Sequence, residues 1–145
     1  MITASPEETQ ALGRRLSAFL AAGDVVCLWG DLGAGKTCLV QGICQGLGVN
    51  EAVVSPSFTL VNEYTGACPV AHLDFYRLKG EGDLEQLGFD DLFDGTRIVL
   101  IEWPDRASGA LPIDRLDIHL RWISDQQREI QLTSNLRKYA ELIEK

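Results

Sequence analysis

The stretch Gly30-Asp31-Leu32-Gly33-Ala34-Gly35-Lys36-Thr37 carries the strongest chemical signal in the chain. It fits the pattern G-x-x-x-x-G-K-[ST] at every specified position, a loop whose backbone N–H groups wrap around phosphate oxygens. Gly30, Gly33 and Gly35 permit the close approach and unusual dihedrals that such wrapping requires. Asp31, Leu32, Ala34 and the residues around them would line the phosphates. Lys36 would neutralise β- and γ-phosphate charge, and the Thr37 hydroxyl, one residue later, is placed to ligate Mg2+.

Hydrolysis at such a loop needs a carboxylate near the metal, usually at the end of a neighbouring strand. Glu102 directly follows the aliphatic run Ile98-Val99-Leu100-Ile101. Its side chain would emerge where that strand ends, to bind Mg2+ or orient a water. Asp74, within His72-Leu73-Asp74-Phe75-Tyr76-Arg77, is a second candidate. His72 itself reads as a buried, hydrogen-bonded residue, because His72 and His119 are the only histidines and have no ligand spacing. The hydroxyl-rich segment Ser55-Pro56-Ser57-Phe58-Thr59 reads equally as a switch responding to a γ-phosphate and as an ordinary strand start. No Asn-Lys-x-Asp and no Asp-x-x-Gly is present, so ATP fits better than GTP. Arg77 and Arg128 are the candidates for an internal arginine finger, and each reads equally as a surface arginine.

The elements that must hold these residues follow from periodicity. Ser5-Pro6-Glu7-Glu8 opens a helix with a cap, a proline at the first helical position and a Glu three residues after the cap. Leu12, Leu16, Phe19 and Leu20 continue it, with Gly23 as the stop. Val25 to Trp29 reads as a buried strand, and a second helix from Lys36 carries Leu39, Val40, Ile43, Cys44 and Leu47 up to Gly46 and Gly48. Val53 to Tyr64 and Val70 to Tyr76 read as a strand pair joined by the turn from Thr65 to Pro69. Leu84, Leu87 and Phe89 to Phe93 suggest one or two short helices, and Ile98 to Ile101 a central strand covered on both faces. Leu116, Ile118, Leu120 and Trp122, then Ile130 and Leu132, alternate as a late hairpin. Asn135 to Lys145 should be an amphipathic helix using Leu136, Tyr139, Leu142 and Ile143. The expected fold class is α/β: one P-loop NTPase-like domain over residues 1–145, with a mixed parallel/antiparallel sheet flanked by helices.

Composition narrows the partners. The chain has 145 residues, 46% of them hydrophobic, and 13 Lys+Arg against 21 Asp+Glu give a net charge of −8. An acidic chain without a basic run is poorly built to grip a phosphate backbone, so any RNA should be held by another subunit. No apolar run approaches the roughly 20 residues of a membrane span, and the N-terminus lacks a secretory pattern, so no membrane contact and a cytoplasmic location are expected. Arg14-Arg15 and Arg137-Lys138 are local pairs expected on solvated helix faces. Cys27, Cys38, Cys44 and Cys68 show no Cys-x-x-Cys spacing, and three of them fall in apolar segments. Neither a disulfide framework nor a zinc site is expected.

Taken with the glycine loop, the motifs Ser55-Pro56-Ser57-Phe58-Thr59-Leu60, His72 to Arg77 and Ile101-Glu102-Trp103-Pro104 resemble the TsaE (formerly YjeE) family over about Ser5 to Trp122. The resemblance implies an α/β P-loop fold using ATP and Mg2+. It also implies action beside the TsaD and TsaB subunits, which install threonylcarbamoyl at adenosine 37 of tRNAs reading codons that begin with A, without transferring the group itself. By the same resemblance Thr37 and Glu102 are metal ligands, Lys36 the phosphate clamp, Asp74 a carboxylate needed for hydrolysis, and Ser55 to Thr59 a switch-like segment. Trp103 would neighbour the site. Ser57 and Cys38 stand where the family commonly has Thr, and both keep a small side chain. A poor intrinsic rate that rises when a partner orders the site is the mechanistic expectation. Two other readings share the phosphate cradle: a small-molecule kinase, and a nonhydrolytic module in which ATP stabilises a partner-binding shape.

Overall fold

A computed structural model describes residues 1–56, 59–79, 82–86 and 88–143. Helix α1 (Pro6–Ser17) begins as the cap predicts: Ser5 is extended, and its Oγ accepts the Glu8 N–H at 3.1 Å. Glu8 returns the contact by accepting the Ala4 N–H at 2.8 Å. The helix stops at Ser17, short of Gly23. The Phe19 and Leu20 amides reach back only three residues, which tightens the chain into a turn. Both side chains still pack on the core. Gly23, at φ +97°, instead donates its N–H to Arg97 O at 2.8 Å and so aligns the entry into β2 (Val25–Trp29).

Helix α2 (Lys36–Gly46) follows the glycine loop and lies along α1. The two helices meet at glycine: a methyl group on Gly42 would run into the Gln10 backbone. Gln10 to Gln41 and Arg14 to Gln45 side-chain hydrogen bonds, 3.1 and 2.9 Å, close the seam.

The remaining elements complete a seven-stranded sheet. They are β1 (Ile2–Thr3), β3 (Val61–Thr65), β4 (Pro69–Asp74), α3 (Gly82–Gln86), β5 (Ile98–Glu102), β6 (Leu116–Trp122), β7 (Arg128–Ser134) and α4 (Ala140–Ile143). The strand order is β1-β7-β6-β2-β5-β4-β3. β2 runs parallel to both β5 and β6, and β4 runs parallel to β5. The β3–β4, β6–β7 and β1–β7 pairs are antiparallel. The mixed sheet, the central β5 and the late hairpin thus match expectation.

Two further expectations need correction, and others fall outside the described residues. Among the described residues of the stretch from Val53 to Tyr64, only those from Val61 onward join the sheet, in β3. Leu60, at φ +69°, bends the chain, and its N–H bonds Pro56 O at 2.7 Å. At the C-terminus the helix does not begin at Asn135: a 3-10 turn spans Arg137–Tyr139 and α4 covers Ala140–Ile143. Asn135 Nδ2 donates to Asp114 and the Leu136 N–H to Ser134 Oγ, and these contacts hold the chain extended. Ser57, Phe58, Leu87, Glu144 and Lys145 lie outside the described residues. A 3-10 segment, Pro104–Ala110, and the short β1 were not foreseen.

Strand alternation divides the core in two. Val26, Leu28, Val70, Ile98 and Leu100 face α1 and α2. Val25, Cys27, Ala71, Leu73, Val99 and Ile101 face the other side, under Leu84, Phe89, Leu92 and Ala107. Cys27 and Cys44 are buried, whereas Cys38 and Cys68 are half-buried, and all four are free. Arg14, Arg15, Arg137 and Lys138 are exposed, as expected. No helix among the described residues is long and apolar enough to cross a membrane.

Candidate active site

β2 delivers the chain to Gly30, and the loop from Asp31 to Gly35 returns it into α2. Gly35 occupies the cap of α2 at φ +97°, ψ 17°, a left-handed conformation that a Cβ disfavours. The first amides of α2 therefore open toward the loop without a capping side chain, an arrangement suited to anions. Beside the loop lies a cavity of about 510 Å³ lined by Leu32, Gly33, Ala34, Gly35, Lys36, Thr37, Cys38, Ser55, Asp74, Tyr76, Arg77, Glu102 and Trp103. Leu32 to Thr37, Ser55, Asp74, Arg77, Glu102 and Trp103, all selected from the sequence, border this cavity, whereas Gly30, Asp31 and Arg128 do not line it; the Asp31 carbonyl accepts from Lys36 Nζ at 3.4 Å.

The parallel pairing explains the convergence. Asp74 stands opposite Glu102 and His72 opposite Leu100 in the β4–β5 register. All four side chains therefore fall on the face that carries α2. Deep in the sheet that face is aliphatic; at the C-terminal ends of the strands it becomes His72, Asp74 and Glu102, which are 0%, 3% and 2% exposed.

The buried polar side chains of the site make defined contacts. Thr37 Oγ1 lies 3.1 and 3.2 Å from the two Glu102 carboxylate oxygens, so its hydroxyl donates across both. His72 Nε2 is 2.5 Å from Glu102 Oε2. Asp74 accepts from Ser55 Oγ at 2.9 Å and from the Tyr76 N–H at 2.9 Å. Lys36, 5% exposed, donates to the Gly30 carbonyl and sits 3.5 Å above the centre of the Trp103 ring. Burial lowers its pKa from the ordinary lysine value, while Glu102, Asp105, Asp74 and Asp31 pull it back up.

Trp103 adopts φ +56°, ψ 48°, uncommon for a residue with a Cβ. That turn at the end of β5 swings its ring under Lys36. Tyr76 packs against it at a tilt of 53° with 4.9 Å between ring centres, and the Arg106 guanidinium lies 5.3 Å from the Tyr76 ring. Arg77 lines the cavity. Arg128 approaches from the β6–β7 turn: its side-chain carbons and Nε would lie 3.7–3.9 Å from a Cβ on Gly35. Its Nη1 is bound to the carbonyls of that turn, the shortest of these bonds being 2.6 Å to Ser124 O. Cys38, at the cavity edge, has its thiol pKa raised mainly by burial, which disfavours the reactive thiolate.

Sequence reasoning picked out Lys36, Thr37, Asp74, Glu102 and the neighbouring Trp103, but not Tyr76 as a lining residue or His72 as the partner of Glu102. The available signal was the two-residue spacing from His72 to Asp74, which puts both on one strand face.

Comparisons with known proteins point to one family. The family model for TsaE, threonylcarbamoyl adenosine biosynthesis protein TsaE, matches residues 3–130. The tRNA threonylcarbamoyladenosine biosynthesis protein TsaE of Bacillus subtilis (strain 168) is 42% identical over 143 residues, covering 98% of this chain and 89% of the relative. The protein of the same name from Treponema pallidum (strain Nichols) is 39% identical over 129 residues, covering 89% of this chain and 96% of the relative. The crystal structure of Bacillus subtilis YdiB superposes with a TM-score of 0.84 at 39% identity, covering 99% of this chain and 90% of that one. With a matching family model over most of its length and the glycine loop and strand-end carboxylates of the motif in one cavity, this chain belongs to the TsaE family.

Proposed function

We propose that this chain is a Mg-ATP-dependent ATP hydrolase serving threonylcarbamoyladenosine formation in tRNA, slow alone and stimulated by the TsaD/TsaB transferase. The observation that carries the reading is the convergence of Lys36, Thr37, Asp74 and Glu102 on one cavity bounded by the glycine loop.

The cavity suits a nucleotide triphosphate in size and in chemistry, since backbone N–H groups, a lysine and two carboxylates meet there. Its oxygens also suit Mg2+. Among the described residues no three His, Cys, Asp or Glu side chains form a metal cage. A single hydroxyl–carboxylate pair, Thr37 with Glu102, is the donor set expected when phosphates supply the remaining ligands. Thr37 and Glu102 would hold the ion. When bound, it would neutralise phosphate charge and draw electrons from the bond that breaks.

The protein's own groups supply the rest. Lys36 exchanges its contacts with the Gly30 and Asp31 carbonyls for phosphate oxygens, which are stronger acceptors for an ammonium. Trp103 keeps that ammonium aimed across the cavity. Asp74 would orient the attacking water, and Ser55, bonded to it, would link its own loop to that position. Catalysis by such a set is mainly positioning and charge neutralisation. A partner that completes the site would raise the rate, and a net charge of −8 leaves tRNA to that partner.

The deciding experiment measures phosphate release from Mg-ATP by the chain alone and with TsaD and TsaB, using Lys36→Ala as the blank. Stimulation with free phosphate as product supports the reading. A phosphorylated small molecule instead of free phosphate would make the chain a kinase. Tight ATP binding without stimulated release would make it a nonhydrolytic module.

A further inference from the structure

The fully buried His72 takes no part in the cavity wall, yet it touches the most important carboxylate in it. Its Nε2 lies 2.5 Å from Glu102 Oε2. A carboxylate only accepts hydrogen bonds, so Nε2 carries the proton of this contact. The other ring nitrogen, Nδ1, is buried and has no hydrogen-bond partner among the described residues. A histidine placed for packing alone would be an expensive choice there, because an apolar side chain would leave no buried nitrogen unsatisfied. On its strand face His72 has the apolar Val70 on one side and Asp74 on the other, with Leu100 of β5 and Asn62 of β3 opposite it. Among the described residues, the one hydrogen-bond compensation the imidazole receives is the bond to Glu102.

We propose that His72 is a positioning residue for the cation site, an inference resting on the Mg-ATP reading above. Its N–H pins Oε2 and thereby fixes the Glu102 side chain between two donors, Nε2 behind and Thr37 Oγ1 at the cavity wall. Without that bond the carboxylate is free to rotate away from Thr37, and the two oxygens proposed to hold Mg2+ no longer face the cavity together. The effect belongs to the hydrogen bond rather than to a charge: an amide N–H reaching the same place should substitute for it. Outer partners of metal ligands generally change affinity or activity by about 10- to 100-fold.

The test uses Mn2+ as a spectroscopic stand-in for Mg2+, titrated into the full chain with an uncleavable ATP analogue and followed by its electron paramagnetic resonance signal. Binding of the same analogue without a divalent ion is measured in parallel. His72→Leu should weaken Mn2+ binding about tenfold or more while leaving metal-free nucleotide affinity within about twofold. His72→Gln, which places an amide near the Nε2 position, should recover most of the loss. If His72→Leu does not fold, His72→Gln decides: near-normal Mn2+ affinity supports the proposal, and a loss of tenfold or more from a folded variant overturns it. Unchanged Mn2+ affinity in folded His72→Leu also overturns it, with the Mg-ATP reading intact. If the nucleotide fails to tighten Mn2+ binding in the unsubstituted chain, the functional reading falls first and takes this inference with it.

Discussion

The two faces of the sheet are built to different rules. One lies under α1 and α2, whose backbones approach at Gly42, and this face runs from aliphatic residues into His72, Asp74 and Glu102 at the strand ends. The other lies under short pieces: α3, the 3-10 turns Phe89–Phe93 and Pro104–Ala110, and the packed rings of Phe75, Phe89 and Phe93. Long helices in close contact give a stiff wall, which groups that must keep sub-ångström positions need. The opposite face has only to keep water out. Aromatic rings covering area from short turns are sufficient for that.

Substitutions on each face should separate stability from chemistry. The largest effect is expected from Phe89→Ala, which removes a ring 4% exposed and packed against two others. It should cost about 3–4 kcal/mol in urea unfolding while the folded fraction keeps its nucleotide affinity. A parallel fall in affinity would mean that the faces are coupled.

Next comes Lys36→Ala, on the chemical face, which should lower partner-stimulated phosphate release by about a hundredfold or more. Its urea midpoint should move little, and a large stability loss would show that the loop depends on the lysine for its shape. Gly42→Ala should lose about 2 kcal/mol because the α1 backbone blocks the added methyl, although alanine favours a helix. A gain in stability would show that the helices can separate at no cost.

The smallest effects come from one buried cysteine on each face. Burial pushes both Cys27 and Cys44 up to about 12 from an ordinary 9.0, with Asp117 adding to the rise at Cys27. Between those values the folded chain holds thiol protons that the unfolded chain has released, so stability must fall as pH rises from 9 toward 12. Cys27→Ala and Cys44→Ala should each make the fall in thermal midpoint shallower. At neutral pH, thiol labelling of single-cysteine variants should be faster at Cys27, whose cover is short turns, than at Cys44 within α2. The reverse order would locate the stiffer cover on the other face.

Local signals made much of this legible in advance. Ser5, Pro6 and Glu8 set the start of α1, and the pattern from Gly30 to Thr37 set the loop, because both depend on contacts within a few residues. The continuous run Ile98 to Ile101 announced a central strand, which lies between β2 and β4. Termination was less legible. Nothing near Ser17 marks the end of α1, and a helical Asn135 and Leu136 were prevented by hydrogen bonds to Asp114 and Ser134. The Ser55–Pro56 stretch has strand-like composition, but Asn62 and Gln41 side chains hold its neighbours Val54 and Val53 outside the sheet.

From the sequence alone, then, came the phosphate loop, the carboxylates Asp74 and Glu102 as candidates, and an α/β sheet of mixed direction, because spacing and periodicity are properties of neighbouring residues. Only the tertiary structure brought Thr37 against Glu102, 65 positions away in the chain, set His72 behind that carboxylate and swung Trp103 beneath Lys36. Those contacts depend on strand register, and register is decided by how β2, β4 and β5 pair over the shared core, which no stretch of local sequence specifies.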